Sequence, residues 1–439
     1  MAVSSMSGHV MPMVHIGVGL RSAGHEVIVL SDAEFADTAR RAGLRFEPLR
    51  AGAGVRPPAG APSWIRHLPD QARRYHHGRT GLTAAFVEPL ARQTESLRAL
   101  LEYESADGVL ADVTFTGVLP LLLSDNPRPP ILVCGVGPLT LSSVDTPPFG
   151  MGWLPEPGFD YRRMTKVAQR IIMGGSQRRL NQALREVGSP AAPVFISDWP
   201  RLADGLLQLS VAGFEYPRTD LPPTVEFVGP VLPESAGDAP PRWWPDVLTA
   251  STVVHVTQGT FDNSDLSQLI GPTLEAFADR DDVLVVATTG GRSGQQLRGP
   301  VPPNARVIDW LPYSLLMPHV DVMVTNGGFG GVQHALRHGV PLVVAGETSD
   351  KAEVAARVQY SGAGINLGTA TPSAADIRAS VTQAKQCRGY RAAAAGLRHE
   401  IESSAPLHAI AAALERCRAG RTGGPRGDEV AAGPAVAPR

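Results

Sequence analysis

Val324-Thr325-Asn326-Gly327-Gly328-Phe329-Gly330-Gly331-Val332 decides how this chain is read. A short β-branched run enters a glycine-rich turn, and a helix starts on the far side. At such a corner, exposed backbone N–H groups and the positive end of the helix dipole face one point. An anion such as a phosphate is held there. Upstream, Val256-Thr257-Gln258-Gly259-Thr260 ends another apolar run with small hydroxyl residues, and Asp309-Trp310-Leu311-Pro312 follows a third with an indole able to stack on a base. Three such loops on one sheet edge suggest a nucleotide diphosphate.

The same alternation runs outward in both directions. Residues 27–30, 108–111, 131–134, 206–211, 253–257, 283–287, 322–325 and 342–345 are short apolar runs with the composition of buried strands. Helix-like periodicity fills 11–23, 33–42, 83–103 and 266–278. Near-continuous apolar strands alternating with helices mean parallel sheets covered on both faces. The fold class is therefore α/β, two Rossmann-like doubly wound domains facing a cleft. The proline-rich stretch 221–249 breaks the alternation and reads as an interdomain linker. It separates an N-terminal domain at 1–220 from a C-terminal domain at 250–400, with a C-terminal helix at 401–419 and a disordered Gly/Pro/Ala-rich tail at 420–439. Two long loops, 50–79 and 139–161, are expected over the cleft, the second carrying Phe149, Trp153 and Phe159.

Composition narrows the class. A chain of 439 residues is long for one core. Its net charge of −2 offers no basic field for nucleic acid. No apolar run reaches a membrane span, and no secretory leader is visible, so a cytoplasmic protein is expected. Three scattered cysteines, Cys134, Cys387 and Cys417, make neither a disulfide framework nor a metal cluster. Glycines 17, 19 and 24 echo a dinucleotide fingerprint but fall within and after a helix, as packing and C-cap residues do. No G-x-S-x-G, H-E-x-x-H or P-loop pattern occurs.

The N-terminal half holds two candidate catalytic residues. His9, in Ser7-Gly8-His9-Val10-Met11-Pro12, follows a strand remnant, and Pro12 is expected in the first turn of the next helix. His9 reads as a general base at the cleft mouth or as a helix-capping histidine. Asp112 ends the run 108–111 on the same sheet edge. It reads as the carboxylate that orients the imidazole or as a helix N-cap. Only Ala2–Ser4 remain to build the first strand, so that strand is stunted or the native start lies upstream of Met1. Met11, Phe115, Phe149 and Trp153 are candidates for an apolar acceptor site, and each is as readily ordinary packing.

Taken in order, GHVMP, LAD, VTQGT, DWLP, TNGGFGG, HGVP and SDK resemble the family 1 GT-B glycosyltransferases of the bacterial macrolide and flavonoid type. The resemblance runs from about Ser7 to about Gly368. It implies an inverting, metal-independent transfer of a hexose from a UDP- or dTDP-sugar to a hydroxyl of a hydrophobic polyketide, macrolide or polyphenol acceptor. The nucleotide sugar is then a co-substrate, there is no cofactor, and the protein is a monomer or homodimer. By the same resemblance His9 is the base and Asp112 its partner. Trp310 stacks on the pyrimidine and the Leu311 backbone reads its edge. Thr260, Gly327, Gly328 and Gly330 lie at the diphosphate, and Asp350 and Lys351 at the sugar hydroxyls. The pattern departs at Asn326 (histidine in the family), Gly331 (serine), His334 (the ribose glutamate), Lys351 (glutamine) and Tyr313 (glutamine). These departures imply altered donor choice, and they keep open two other readings, a non-catalytic helper and a sugar epimerase.

Overall fold

The computed structural model describes residues 1–55, 70–233, 239–260, 263–291, 297, 299–348 and 350–422. In the N-terminal half, β1 (Ile28–Ser31) pairs with β2 (Arg45–Pro48). β3 (Val109–Asp112), β4 (Ile131–Gly135), β5 (Gly205–Gln208) and β6 (Val225–Phe227) stand side by side in that order, all parallel. The first segment of the chain joins the two groups. Ala2 bridges Leu30 on one side and Ala111 on the other, with its N–H on the Leu110 carbonyl at 2.8 Å and its carbonyl taking the Asp112 N–H at 3.0 Å. Ala2 thus closes the sheet between β1 and β3, and the chain order reverses between this segment and β3. Ligands of open α/β sheets bind at such a switch point, beyond the carboxyl ends of the strands.

The C-terminal sheet repeats the plan. β7 (Val253–Thr257), β8 (Leu284–Thr288), β9 (Ala305–Ile308), β10 (Val322–Thr325), β11 (Leu342–Val344) and β12 (Gly364–Asn366) are parallel, in the spatial order β12-β11-β10-β7-β8-β9. Its switch point lies between β10 and β7. The glycine turn after β10 and the Gln258-Gly259-Thr260 loop after β7 are therefore neighbours. Apolar clusters cover both faces of each sheet, as the near-continuous apolar strands require.

The structure corrects several sequence boundaries. β6 lies inside the 221–249 stretch read as linker and extends the N-terminal sheet; the prolines on either side of it mask a short edge strand. The first helix is Ser7–Ser22, so Gly8 and His9 belong to its first turn and Pro12 lies within it. Pro12 has no N–H, which leaves the Gly8 carbonyl outside the i→i−4 ladder. Asp70–Phe86 is helical although a loop was expected over 50–79; residues 56–69 fall outside the described ones. The end of the chain forms two helices, Arg388–Glu402 and Pro406–Thr422, where one was expected over 401–419. Pro406 explains the break, because the residue before a proline is pushed out of the helical region. The last helix returns to the N-terminal domain. Ile410 and Ala413 are buried there with Val10, Met13 and Ile16, and Gly19 makes room for Leu407, whose Cδ1 lies 2.8 Å from where a Cβ would stand. Of the tail expected over 420–439, residues 423–439 lie outside the described ones.

Candidate active site

His9 and Asp112 meet at the N-terminal switch point. His9 Nδ1 is 2.7 Å from Asp112 Oδ1, and the carboxylate is fully buried. Asp112 Oδ2 accepts the Ser4 N–H at 2.7 Å, while Oδ1 also accepts the Thr114 N–H and hydroxyl, each at 2.9 Å. Burial raises the Asp112 pKa, but the His9 charge, the His9 hydrogen bond and these backbone N–H groups outweigh it. The result lies below the ordinary carboxylate value, so Asp112 is an anion. Burial likewise depresses the imidazole, and the Asp112 charge and hydrogen bond, with a further contribution from Asp350, more than reverse it, leaving His9 above its ordinary pKa. An acceptor-only carboxylate makes Nδ1 the donor. The basic lone pair then sits on Nε2, on the far side of the ring.

The C-terminal edge faces this pair. Ser7 Oγ, two residues before His9, lies 3.2 Å from Thr260 Oγ1, so the base and the loop after β7 adjoin across the cleft. Gly327 holds φ +86°, and a Cβ there would stand 2.9 Å from Val344 Cγ1, so the turn requires glycine. Gly328 precedes the helix Phe329–Arg337, and around Gly330 no atom lies within 4 Å of a Cβ position. The N-terminus of that helix is thus presented without side chains in front of it. Asn326 commits one amide N–H to the Gln258 carbonyl and ties the two loops together. Gln258 is itself a structural cap, its Oε1 accepting the Leu269 and Ile270 N–H groups at the start of the next helix.

Trp310 is 62 % exposed, with one edge of its indole packed over Gly291. The adjoining Leu311 is half-buried. A flat apolar ring fixed at a sheet edge is a platform for a base. Stacking on such a ring is worth about 1–3 kcal/mol, so Trp310→Ala should weaken UDP binding by about 5–150-fold, read by calorimetric titration. Unchanged affinity would remove the indole from the base site.

The donor-side departures fall into place physically. Tyr313 Oη lies 3.1 Å from where a Gly331 Cβ would stand, so the phenol occupies the space that a side chain at 331 would need. The His334 ring packs on Tyr313 at 4.8 Å, and burial, with the nearby His338 and Arg337 charges, lowers its pKa to about 4. A neutral imidazole therefore stands at the position where the resemblance leads one to expect a ribose-binding carboxylate. Lys351 is buried and its ammonium donates to Thr348 Oγ1 at 2.8 Å, holding the loop before its own helix. Asp350 is the member of that pair that acts on His9, and burial dominates its own pKa and raises it. Phe115 is buried in the N-terminal core and leaves the acceptor candidates, whereas Met11 and Trp153 are exposed and Phe149 half-buried. Ser4, Ser7 and Thr114 were not singled out in the sequence. Their only signal is position, next to a strand end already known to carry chemistry.

Two parallel-sheet domains that oppose a carboxylate-bound imidazole to a glycine turn define a GT-B architecture, and the chain belongs to the family 1, macrolide-type glycosyltransferases. Residues 272–416 match the erythromycin biosynthesis protein CIII-like C-terminal domain. The chain is 39 % identical to 4'-demethylrebeccamycin synthase of Lentzea aerocolonigenes, over 91 % of this chain and 94 % of that protein. It is 34 % identical to UDP-glycosyltransferase 2 of Phaeomoniella chlamydospora, over 94 % and 93 %. The crystal structure of the kitacinnamycin glycotransferase superimposes with a TM-score of 0.69 at 23 % identity, covering 94 % of this chain and 97 % of that one. The chain is a glycosyltransferase, and the relatives favour transfer over the epimerase and helper readings.

Proposed function

We propose that the protein moves a hexose, with inversion, from a UDP- or dTDP-sugar onto a hydroxyl of a hydrophobic natural-product acceptor, without a metal or a cofactor. The observation that carries this reading is the His9–Asp112 pair set beside the loops of the C-terminal switch point, with Ser7, two residues before His9, against Thr260 of the loop after β7. His9 Nε2 takes the proton from the acceptor hydroxyl as its oxygen attacks the anomeric carbon. The backbone N–H groups at Gly328 and Gly330, with Thr260 and Asn326, meet the charge growing on the leaving diphosphate. Asp350 is placed to hold sugar hydroxyls beside the base. Met11, Phe149 and Trp153 supply apolar surface for the acceptor. The names of the two relatives, a rebeccamycin-type synthase and a UDP-glycosyltransferase, support a natural-product acceptor and a UDP donor. The three described thiols are free, which fits a cytoplasmic enzyme.

Nucleoside diphosphate release from UDP-glucose and dTDP-glucose, with and without a panel of polyphenol and macrolide hydroxyl acceptors, tests the reading. Release should require an acceptor and be matched by a glycosylated product. Because His334 replaces the carboxylate that would read the ribose 2′-hydroxyl, the two donors should differ by less than about 10²-fold in kcat/KM. That is the range left when a hydrogen-bonded hydroxyl is not the discriminating contact. Strict dependence on one nucleoside would refute that account of the ribose site, and acceptor-independent binding with no product would refute transfer.

A further inference from the structure

Between the two domains, three charged side chains meet out of water. Arg357, on the helix Lys351–Tyr360, donates from Nε to Glu215 Oε2 at 2.7 Å and from Nη1 to Glu353 Oε2 at 2.8 Å; all three side chains are buried. The Tyr216 ring lies under the guanidinium, 4.5 Å from its centroid. The remaining carboxylate oxygens turn to one N-terminal segment. Glu215 Oε1 accepts the Leu139 N–H at 2.7 Å, and Glu353 Oε1 accepts the Gly150 and Gly152 N–H groups at 2.8 and 2.9 Å. Those glycines adjoin Phe149 and Trp153. Gly152, at φ +61°, lies flat on the same helix, where a Cβ would stand 2.9 Å from the Ala352 carbonyl oxygen. One turn before Glu353 is Asp350.

A buried ion network is a weak source of stability compared with apolar residues of the same volume, but its many directional bonds admit a single geometry. Here that geometry joins the loop to the helix that begins at the sugar-binding pair. We propose that Glu353, Arg357 and Glu215 are positioning residues that lock the loop 139–153 onto the Asp350 helix, so that the acceptor wall and the donor-sugar contact keep one fixed separation. The inference rests on the reading above that this loop lines the acceptor site and that Asp350 meets the sugar.

Glu353→Gln leaves one amide oxygen to serve both the glycine N–H groups and Arg357, and it cannot do both. The assay is transfer from UDP-glucose to the best-used member of the polyphenol and macrolide panel. Loss of hydrogen bonds to a charged group should raise the acceptor KM about ten-fold or more. Hydrolysis of the donor by water should rise relative to transfer, because a loosened loop admits water. UDP affinity should stay unchanged. Gly152→Ala disturbs the same contact from the loop side, without touching a charge, and should show the same pattern. Equal losses of transfer and hydrolysis, or an unmoved acceptor KM in both variants, would overturn the proposal. Phe149→Ala separates the two layers. If it raises the acceptor KM and the other two variants do not, only the locking role falls; if it too has no effect, the acceptor-wall reading falls and takes this inference with it.

Discussion

His9→Ala should lower transfer to a neutral hydroxyl acceptor by about 10²–10⁴-fold, the usual worth of a positioned general base. UDP affinity should be unchanged, because the loops proposed to hold the nucleotide follow β7, β9 and β10, and His9 lies in none of them. The size of the loss depends on the acceptor. A phenol that is already ionised at the assay pH brings its own nucleophile and needs no base, so its rate in the variant falls much less than that of an aliphatic alcohol. Rates for a series of phenols of decreasing pKa, measured in the parent and the variant, check this. The two should converge as the phenol becomes more acidic. A uniform loss across the series would mean that His9 serves the fold or the binding of substrate. Full activity with an aliphatic alcohol would sink the base assignment altogether.

The glycine turn and the loops beside it were legible in the sequence because their signals are local. Glycines 327, 328 and 330 announce a turn and a bare helix start within a few residues, and Trp310 stands directly after a strand. His9 and Asp112 were legible for a different reason. Asp112 ends a strand and His9 opens the helix that follows one, and parallel strands bring their carboxyl ends to one edge whatever their separation along the chain. What could not be read was partner choice among distant polar side chains. Arg357 and Glu215 are 142 residues apart, and nothing at either position distinguishes a buried ion pair from two exposed charges. β6 was hidden by the prolines around it, and β2 is a half-exposed edge strand with no apolar alternation to report it. Of the two readings open for Phe115, acceptor surface or packing, the structure takes packing. Phe115 follows Asp112 closely in sequence, but the turn after β3 carries it into the core while Thr114 folds back on the carboxylate.

The second large effect comes from Asp112→Asn, which keeps the shape and removes the charge. All the groups around this carboxylate are donors: the Ser4 N–H on one oxygen, and the Thr114 N–H, the Thr114 hydroxyl and His9 Nδ1 on the other. An amide has one acceptor oxygen. Turned toward His9, it sets its NH₂ against the Ser4 N–H; turned toward Ser4, it sets its NH₂ against Thr114 and His9. In the second arrangement Nδ1 must accept, the ring proton moves to Nε2, and the nitrogen that should take the acceptor proton already carries one. A wrongly set tautomer of this kind costs about 10²–10⁴ in rate. The pH profile should shift as well. In the parent enzyme the proposed base works only as neutral His9, so kcat/KM should rise with pH through a limb above the ordinary histidine value of 6.5, where Asp112 holds it. Without that charge, burial, already the largest influence on the imidazole, is no longer outweighed and moves the limb down. Rates from pH 5 to 9 on the two proteins should therefore show a lower plateau reached at lower pH in the variant. A variant that keeps the parental limb would show that the titrating group is not His9, and one that keeps the parental plateau would show that the tautomer is set by something other than Asp112.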